Sequence, residues 1–156
     1  MSPHYRFETN WSVPVPHDRL FAVLADVGGY PTWWPQVRAV ARLDDDTAHV
    51  VARSLLPYSL DLVLTRAVED PAAGVLEARI TGQLDGWSRW TLRGDRDGTA
   101  VRYEQEVTTE GRLLTAASSV VRPVLVANHA WMMRGGRRGL LSLDRAGRGP
   151  GGRTPR

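Results

Sequence analysis

Three side chains with acid–base or electrostatic capacity fall where the surrounding pattern is apolar. The even positions Leu60, Leu62, Leu64, Arg66 and Val68 set one guanidinium into an oily strand face. A cation there needs a partner or a wet cavity, and it could steady negative charge on a bound molecule. An arginine near a strand end can equally turn its head outward along its own stem. Further on, Val101, Tyr103, Gln105 and Val107 alternate with Arg102, Glu104 and Glu106, so the phenol and the amide face inward. They satisfy one another or water, or they meet a ligand. His129 lies beside Asn128 on an apolar helical stripe, and its ordinary pKa suits proton transfer as well as a structural place at a rim.

The elements that must position these groups follow from periodicity. Tyr5, Phe7, Trp11 and Val13 alternate with polar residues, which predicts a first strand ended by Pro14 and Pro16. Leu20, Val23, Leu24 and Val27 then recur at helical spacing to about Asp26, with Asp18 suiting the helix N-terminus. Gly28, Gly29 and Pro31 break that helix, and Trp33-Trp34-Pro35 forms an aromatic turn before a second strand begins at Gln36-Val37. The two indoles either plug the core or offer a face to a ligand. Asp44-Asp45-Asp46 sits between strand patterns and reads as a turn, with no further spacing that suggests a metal site.

Leu56-Pro57-Tyr58 joins the third and fourth strands, and Leu76, Ala78 and Ile80 share one side of the fifth. Gly82 and Gly86 bracket the entry to the sixth, where bends or close backbone approach are expected. Trp90 and Leu92 share its inner face, opposite Trp87, Arg89 and Thr91. After Gly111 the period becomes helical: Leu113, Ala117, Val120, Val124, Asn128 and Trp131 form the stripe, flanked by Leu125 and Met132. Pro123 is expected to kink or divide this helix, with Arg134, Arg137 and Arg138 near its C-terminus. The whole predicts a curved sheet closed over the last helix, a cup suited to a greasy small molecule.

Composition narrows the function. The chain has 156 residues, enough for one domain with its own core, and no cysteine, so no disulfide framework or thiolate site arises. All twenty basic side chains are arginine. The stretch from Ala146 to Arg156 carries the entire formal net charge of +3, so the remainder is neutral and a nucleic-acid partner is not expected. We divide the chain into a ligand-binding domain, 1–145, and a disordered Arg/Gly/Pro tail, 146–156. Without a leader or a long apolar run, a cytoplasmic protein with no membrane span is expected. Hydrolase-elbow, zinc-protease, phosphate-loop and dinucleotide motifs are absent from the sequence.

The ordered run YPTWWPQV (Tyr30 to Val37), LPYSL (Leu56 to Leu60), GQLDGWSRWTL (Gly82 to Leu92) and RPVLVANHAWMMRGGRRGL (Arg122 to Leu140) resembles the polyketide cyclase/dehydrase-like branch of the START-like, helix-grip superfamily. The likeness covers nearly all of the chain before the tail. It implies an α+β fold: a seven-stranded antiparallel curved sheet wrapped around a long kinked C-terminal helix, with two short helices after the first strand. It also implies a deep cavity for aromatic or lipid-like ligands. Gln105 stands where relatives carry a large aromatic side chain, and Trp87 and Ser88 replace small residues, so the shape of the cavity does not transfer.

On that frame the expected wall is Trp33, Trp34, Tyr58, Leu62, Leu64 and Ile80 from the first part of the chain. Trp90, Gln105, Val124, Asn128 and Met132 complete it. If the cup catalyses aldol cyclisation and dehydration of a poly-β-ketone, Arg66 or Tyr103 would stabilise the enolate and His129 would move the proton. No cofactor or metal is expected. The alternatives are a non-catalytic carrier or sensor of a lipid, quinone or polyketide, and a module that binds another protein. Oligomeric state is left open.

Overall fold

The structure, a computed structural model, describes residues 4–54, 59–109 and 118–147, with side chains in the last segment described from 122. Strand β1 (His4–Val13) leads into helix α1 (His17–Ala25) and a 3-10 helix (Val27–Thr32). Strands β2 (Val37–Arg42), β3 (Thr47–Arg53), β4 (Ser59–Asp70), β5 (Val75–Gly82), β6 (Leu84–Asp95) and β7 (Gly98–Thr109) follow. Helix α2 (Ser118–Gly147) ends the described chain. The strands form one antiparallel sheet in the order β1-β7-β6-β5-β4-β3-β2, the helix-grip arrangement that the sequence pattern predicts. Among the described residues no helix is long and apolar enough to cross a membrane.

Alternation in the sequence becomes burial in the fold. Val13, Leu92 and Val101 turn inward onto Leu20 and Leu24 of α1 and Leu140 of α2, and all six are almost fully buried. Burying each such side chain contributes about 2 kcal/mol. Thr99 donates its hydroxyl to the Val15 carbonyl at 2.6 Å, which fixes the start of β7 against the β1–α1 turn. Arg19 on α1 reaches Asp144 near the end of α2 at 3.0 Å, tying the two helices together.

Tight connections keep the strands in register. Only Gln83 separates β5 from β6, and it is preceded by Gly82 at φ +107°. At Gly86 a Cβ would lie 1.9 Å from the Glu106 carbonyl oxygen, so β6 and β7 approach there as only glycine allows. The Asp44-Asp45-Asp46 triplet forms the β2–β3 turn, where the Asp44 carboxylate accepts the Asp46 N–H at 2.8 Å. That backbone donor is the main reason the Asp44 carboxyl titrates below its ordinary range.

The long helix departs from its sequence reading. It continues to Gly147, so Arg134, Arg137 and Arg138 lie in its middle and not near its C-terminus. Ala146 and Gly147, which were expected in the tail, belong to the helix; the rest of the expected tail lies outside the described residues. Helical structure runs through Pro123, so the proline does not divide it. The stripe also differs: Asn128, Met133, Gly136, Leu140 and Asp144 are buried, whereas Val124 is 36% exposed and Trp131 only half-buried.

What brings α2 down onto the aromatic turn is a set of glycines. A Cβ at Gly136 would lie 2.8 Å from the Trp34 ring, and one at Gly139 would lie 1.4 Å from the Trp33 carbonyl oxygen. Gly135 faces the Gln36 amide in the same way, with a Cβ placed 2.0 Å from Oε1. Each glycine costs a helix about 1 kcal/mol relative to alanine. The contact it permits buries two indoles, whose large apolar area more than offsets that cost.

Candidate ligand cavity

Between the concave face of the sheet and α2 lies a cavity of about 700 Å³, within the size range of small-molecule sites. Inward residues of β4, Leu60, Leu62 and Leu64, form one wall, and Ile80 of β5 continues it. Tyr5 and Phe7 on β1 face Val107 and Gln105 on β7 by direct strand pairing. From α2, Val124, Leu125, Asn128, His129, Met132 and Met133 look down into the space.

A run of rings crosses this cavity. His129 stacks on Phe7, with centroids 4.5 Å apart and planes within 11°, and lies 5.7 Å from Tyr103. Tyr103 packs at 4.4 Å against Trp90, its direct cross-strand partner on β6. Trp90 in turn meets Trp34 edge-on at 6.3 Å. Trp34 is held by its indole N–H, which donates to the Met132 carbonyl at 2.9 Å. Offset and edge contacts of this kind stabilise beyond area burial alone, and they leave a wall of flat π-surfaces.

Polar groups are few and fixed. The Tyr103 hydroxyl donates to Gln105 Oε1 at 2.7 Å. Burial raises the Tyr103 pKa well above the ordinary phenol value, so the group stays neutral at physiological pH. Asn128 accepts from the Ser54 hydroxyl at 3.3 Å, which pins α2 to the end of β3. Burial also holds the His129 imidazole down at about 4, so it is neutral at pH 7. Among the described residues, His129 Nε2 and Thr109 Oγ1 are buried without a hydrogen-bond partner, and both side chains line the cavity. Orphaned polar atoms in an oily space are where a ligand's own polar groups would be received.

Most residues expected from the sequence meet here: Trp34, Leu62, Leu64, Ile80, Trp90, Tyr103, Gln105, Val124, Asn128, His129 and Met132 all line the cavity. Two do not. Trp33 is a core plug: it is buried, stacks at 5.4 Å on Trp34 and is not among the residues that line the cavity. Arg66 does not line the large cavity, which corrects its assignment as an oxyanion stabiliser there. A β-bulge between Arg66 and Val68 ends the simple alternation of β4, and the half-exposed guanidinium pairs with Glu69 at 2.5 Å and lies 3.8 Å from Asp46. Tyr58 lies outside the described residues. Sequence reasoning missed Tyr5, Phe7, Ser88, Val107 and Thr109 as wall residues. Their signal was present in the alternation of β1, β6 and β7, which places each on the same face as a residue that was chosen.

A family model described as polyketide cyclase / dehydrase and lipid transport matches residues 13–130. The chain belongs to this family. Solved structures share its fold. The Zhui aromatase/cyclase from a Streptomyces species is 20% identical, with a TM-score of 0.78 over 96% of this chain and 99% of that one. A START superfamily protein from Mycobacterium smegmatis is 14% identical, with a TM-score of 0.65 over 89% of this chain and 99% of that one. The di-domain ARO/CYC StfQ of the steffimycin biosynthetic pathway is 16% identical, with a TM-score of 0.66; the match spans 92% of this chain and 52% of StfQ. Among curated proteins, none matches. Within the polyketide cyclase / dehydrase and lipid transport family the helix-grip architecture is thus shared.

Proposed function

We propose that this protein binds a flat, hydrophobic small molecule of polyketide, aromatic or lipid-like type in the large cavity, and that it holds the molecule without transforming it. The observation that carries this reading is the cavity itself: about 700 Å³ walled by leucines and a run of rings. A planar ligand would lie against Tyr103 and Trp90 and gain dispersion and apolar burial along its faces. Its hydroxyl or carbonyl groups would be received by His129 Nε2 and the Thr109 hydroxyl, which are otherwise unpartnered.

Magnitudes favour a carrier over a catalyst. Aldol cyclisation begins by removing a proton from a carbon beside a carbonyl, and an efficient base has a pKa near the working pH. His129, at about 4, is a weak base in this site. Relative to an imidazole tuned to neutrality, proton transfer to it costs about 4 kcal/mol more. Arg66 is not among the large cavity's lining residues, and the Tyr103 proton is already committed to Gln105.

The second reading is an aromatase/cyclase-like enzyme, favoured by the fit of the whole chain to the Zhui aromatase/cyclase. In that case the cavity would fold the chain of the substrate and Tyr103 would turn its hydroxyl from Gln105 to the enolate oxygen. One experiment addresses both. The purified protein is denatured, the released small molecules are identified by mass spectrometry, and thermal shifts are measured with a panel of polycyclic aromatics and lipids. A released hydrophobic species and a stabilising shift with its class are expected. No released species together with no shift across the panel would count against both readings, and conversion of a bound poly-ketone would favour the enzyme.

A further inference from the structure

Beyond Leu64, Ser88 and Trp90 the inner face of the sheet lines a second cavity, of about 230 Å³. The same three side chains line the large cavity, so the two spaces share a wall contributed by β4 and β6. The far side of the small space is formed by the end of α1, the start of the 3-10 helix and the β2–β3 turn. Neither the ligand reading nor the family match assigns this second space a role.

The chemistry changes across the wall. On the large side stand hydrocarbon and aromatic rings; among the described residues, Asp26, Asp44, Asp45, Asp46, Arg42 and Arg66 line the small space beside apolar side chains, and Glu77, which also borders it, is taken up by Arg89. Arg66 and Asp46 face each other there at 3.8 Å. At the wall, Ser88 is 9% exposed and lies directly opposite Gln105 in the β6–β7 register, so a hydroxyl stands between the oily space and the charged one.

We propose that the two spaces form one elongated site, in which an amphiphile lays its apolar body in the large cavity and extends an uncharged or cationic polar end past Ser88 into the small one. This rests on the ligand reading above and specifies the shape and polarity of what is bound. The two spaces lie along one face of the sheet, because Leu64, Ser88 and Trp90 project from the same side of it. Excess carboxylate repels an anionic end, whereas a hydroxyl or ammonium group finds acceptors. Ala78 sits directly opposite Ser88 in the β5–β6 register and lines the small space alone. Bulk added at Ala78 therefore fills the small space and spares the large one.

The test compares pyrene, which needs only the large cavity, with hexadecanol, hexadecylamine and hexadecanoate below their aggregation limits. Binding is measured to the wild-type protein and to Ala78→Trp, with Ala78→Leu as a smaller second filling should the indole disturb folding. The alcohol and amine should bind about tenfold or more tightly than the acid, and filling position 78 should remove that preference while pyrene affinity stays within about twofold. Retention of the preference in the filled variants, or its absence from the wild type while pyrene binds, would overturn the proposal. Failure of every probe, pyrene included, would overturn the ligand reading on which it stands.

Discussion

At the residue scale, the fate of a single polar group depends on the face that its strand gives it and on where along that face it falls. Tyr103 and Gln105 were legible as inward groups because β7 pairs without a break on both sides, and strict alternation then decides the face. Arg66 follows the same alternation, but it lies one inward position beyond Leu64 and lines the small cavity, and how far along a strand a cavity extends leaves no mark in the hydropathy pattern. His129 makes a quantitative prediction. Its folded-state pKa, about 4, lies below the ordinary histidine value of 6.5, so the unfolded chain binds the proton more readily. The histidine's contribution to stability is therefore complete above about pH 6.5 and is lost as pH falls toward 4, by of order 3 kcal/mol. Chemical denaturation of wild type and His129→Phe across pH 4 to 7 should show that extra acid sensitivity in the wild type alone. Tyr103→Phe should lower stability by about 1 kcal/mol, since Gln105 Oε1 loses its donor in a partly buried place. A thermal or urea melt with no measurable loss would show that the hydroxyl bond carries nothing.

Elements answer to a different logic, in which close approach counts for more than hydrophobicity. The sequence reading of α2 lost its stripe after Met132 because, beyond Met133, the positions that meet the aromatic turn are Gly135, Gly136 and Gly139, which have no side chain to register as apolar. Their role appears only when the aromatic turn is placed against them. Gly139→Ala would drive a methyl group into the Trp33 carbonyl and should destabilise the fold by about 3 kcal/mol or more, despite the higher helix propensity of alanine. Arg138→Ala, one residue earlier and exposed, is the matched control and should change stability by less than about 0.5 kcal/mol. Equal melting temperatures for the two variants would mean that α2 does not rest on the Trp33-Trp34 turn as described. The sheet was easier to read: strand existence and order of appearance followed from alternation and turn residues, and among the described residues the large misplacements of elements concern where helical structure stops.

For the whole molecule, the fold was legible because hydrophobic period, turn chemistry and the spacing of aromatic segments all agree on one sheet gripping one helix. The contents of the cavity were less so. A wall residue such as Phe7 or Val107 carries the same sequence signal as a core residue such as Val13 or Val101, and only the curvature of the sheet separates the two. Family membership fixes the architecture; it leaves the occupant to the side chains that line the space. The central claim, that this space takes a flat hydrophobic molecule, is tested most directly by equilibrium dialysis of a hydroxyanthraquinone against the protein and against Gln105→Trp, which puts an indole into the middle of the cavity. Saturable one-to-one binding to the wild type, weakened about tenfold or more in the filled and still folded variant, is the predicted result. Binding that is absent from the wild type, or that survives Gln105→Trp unchanged, would contradict it.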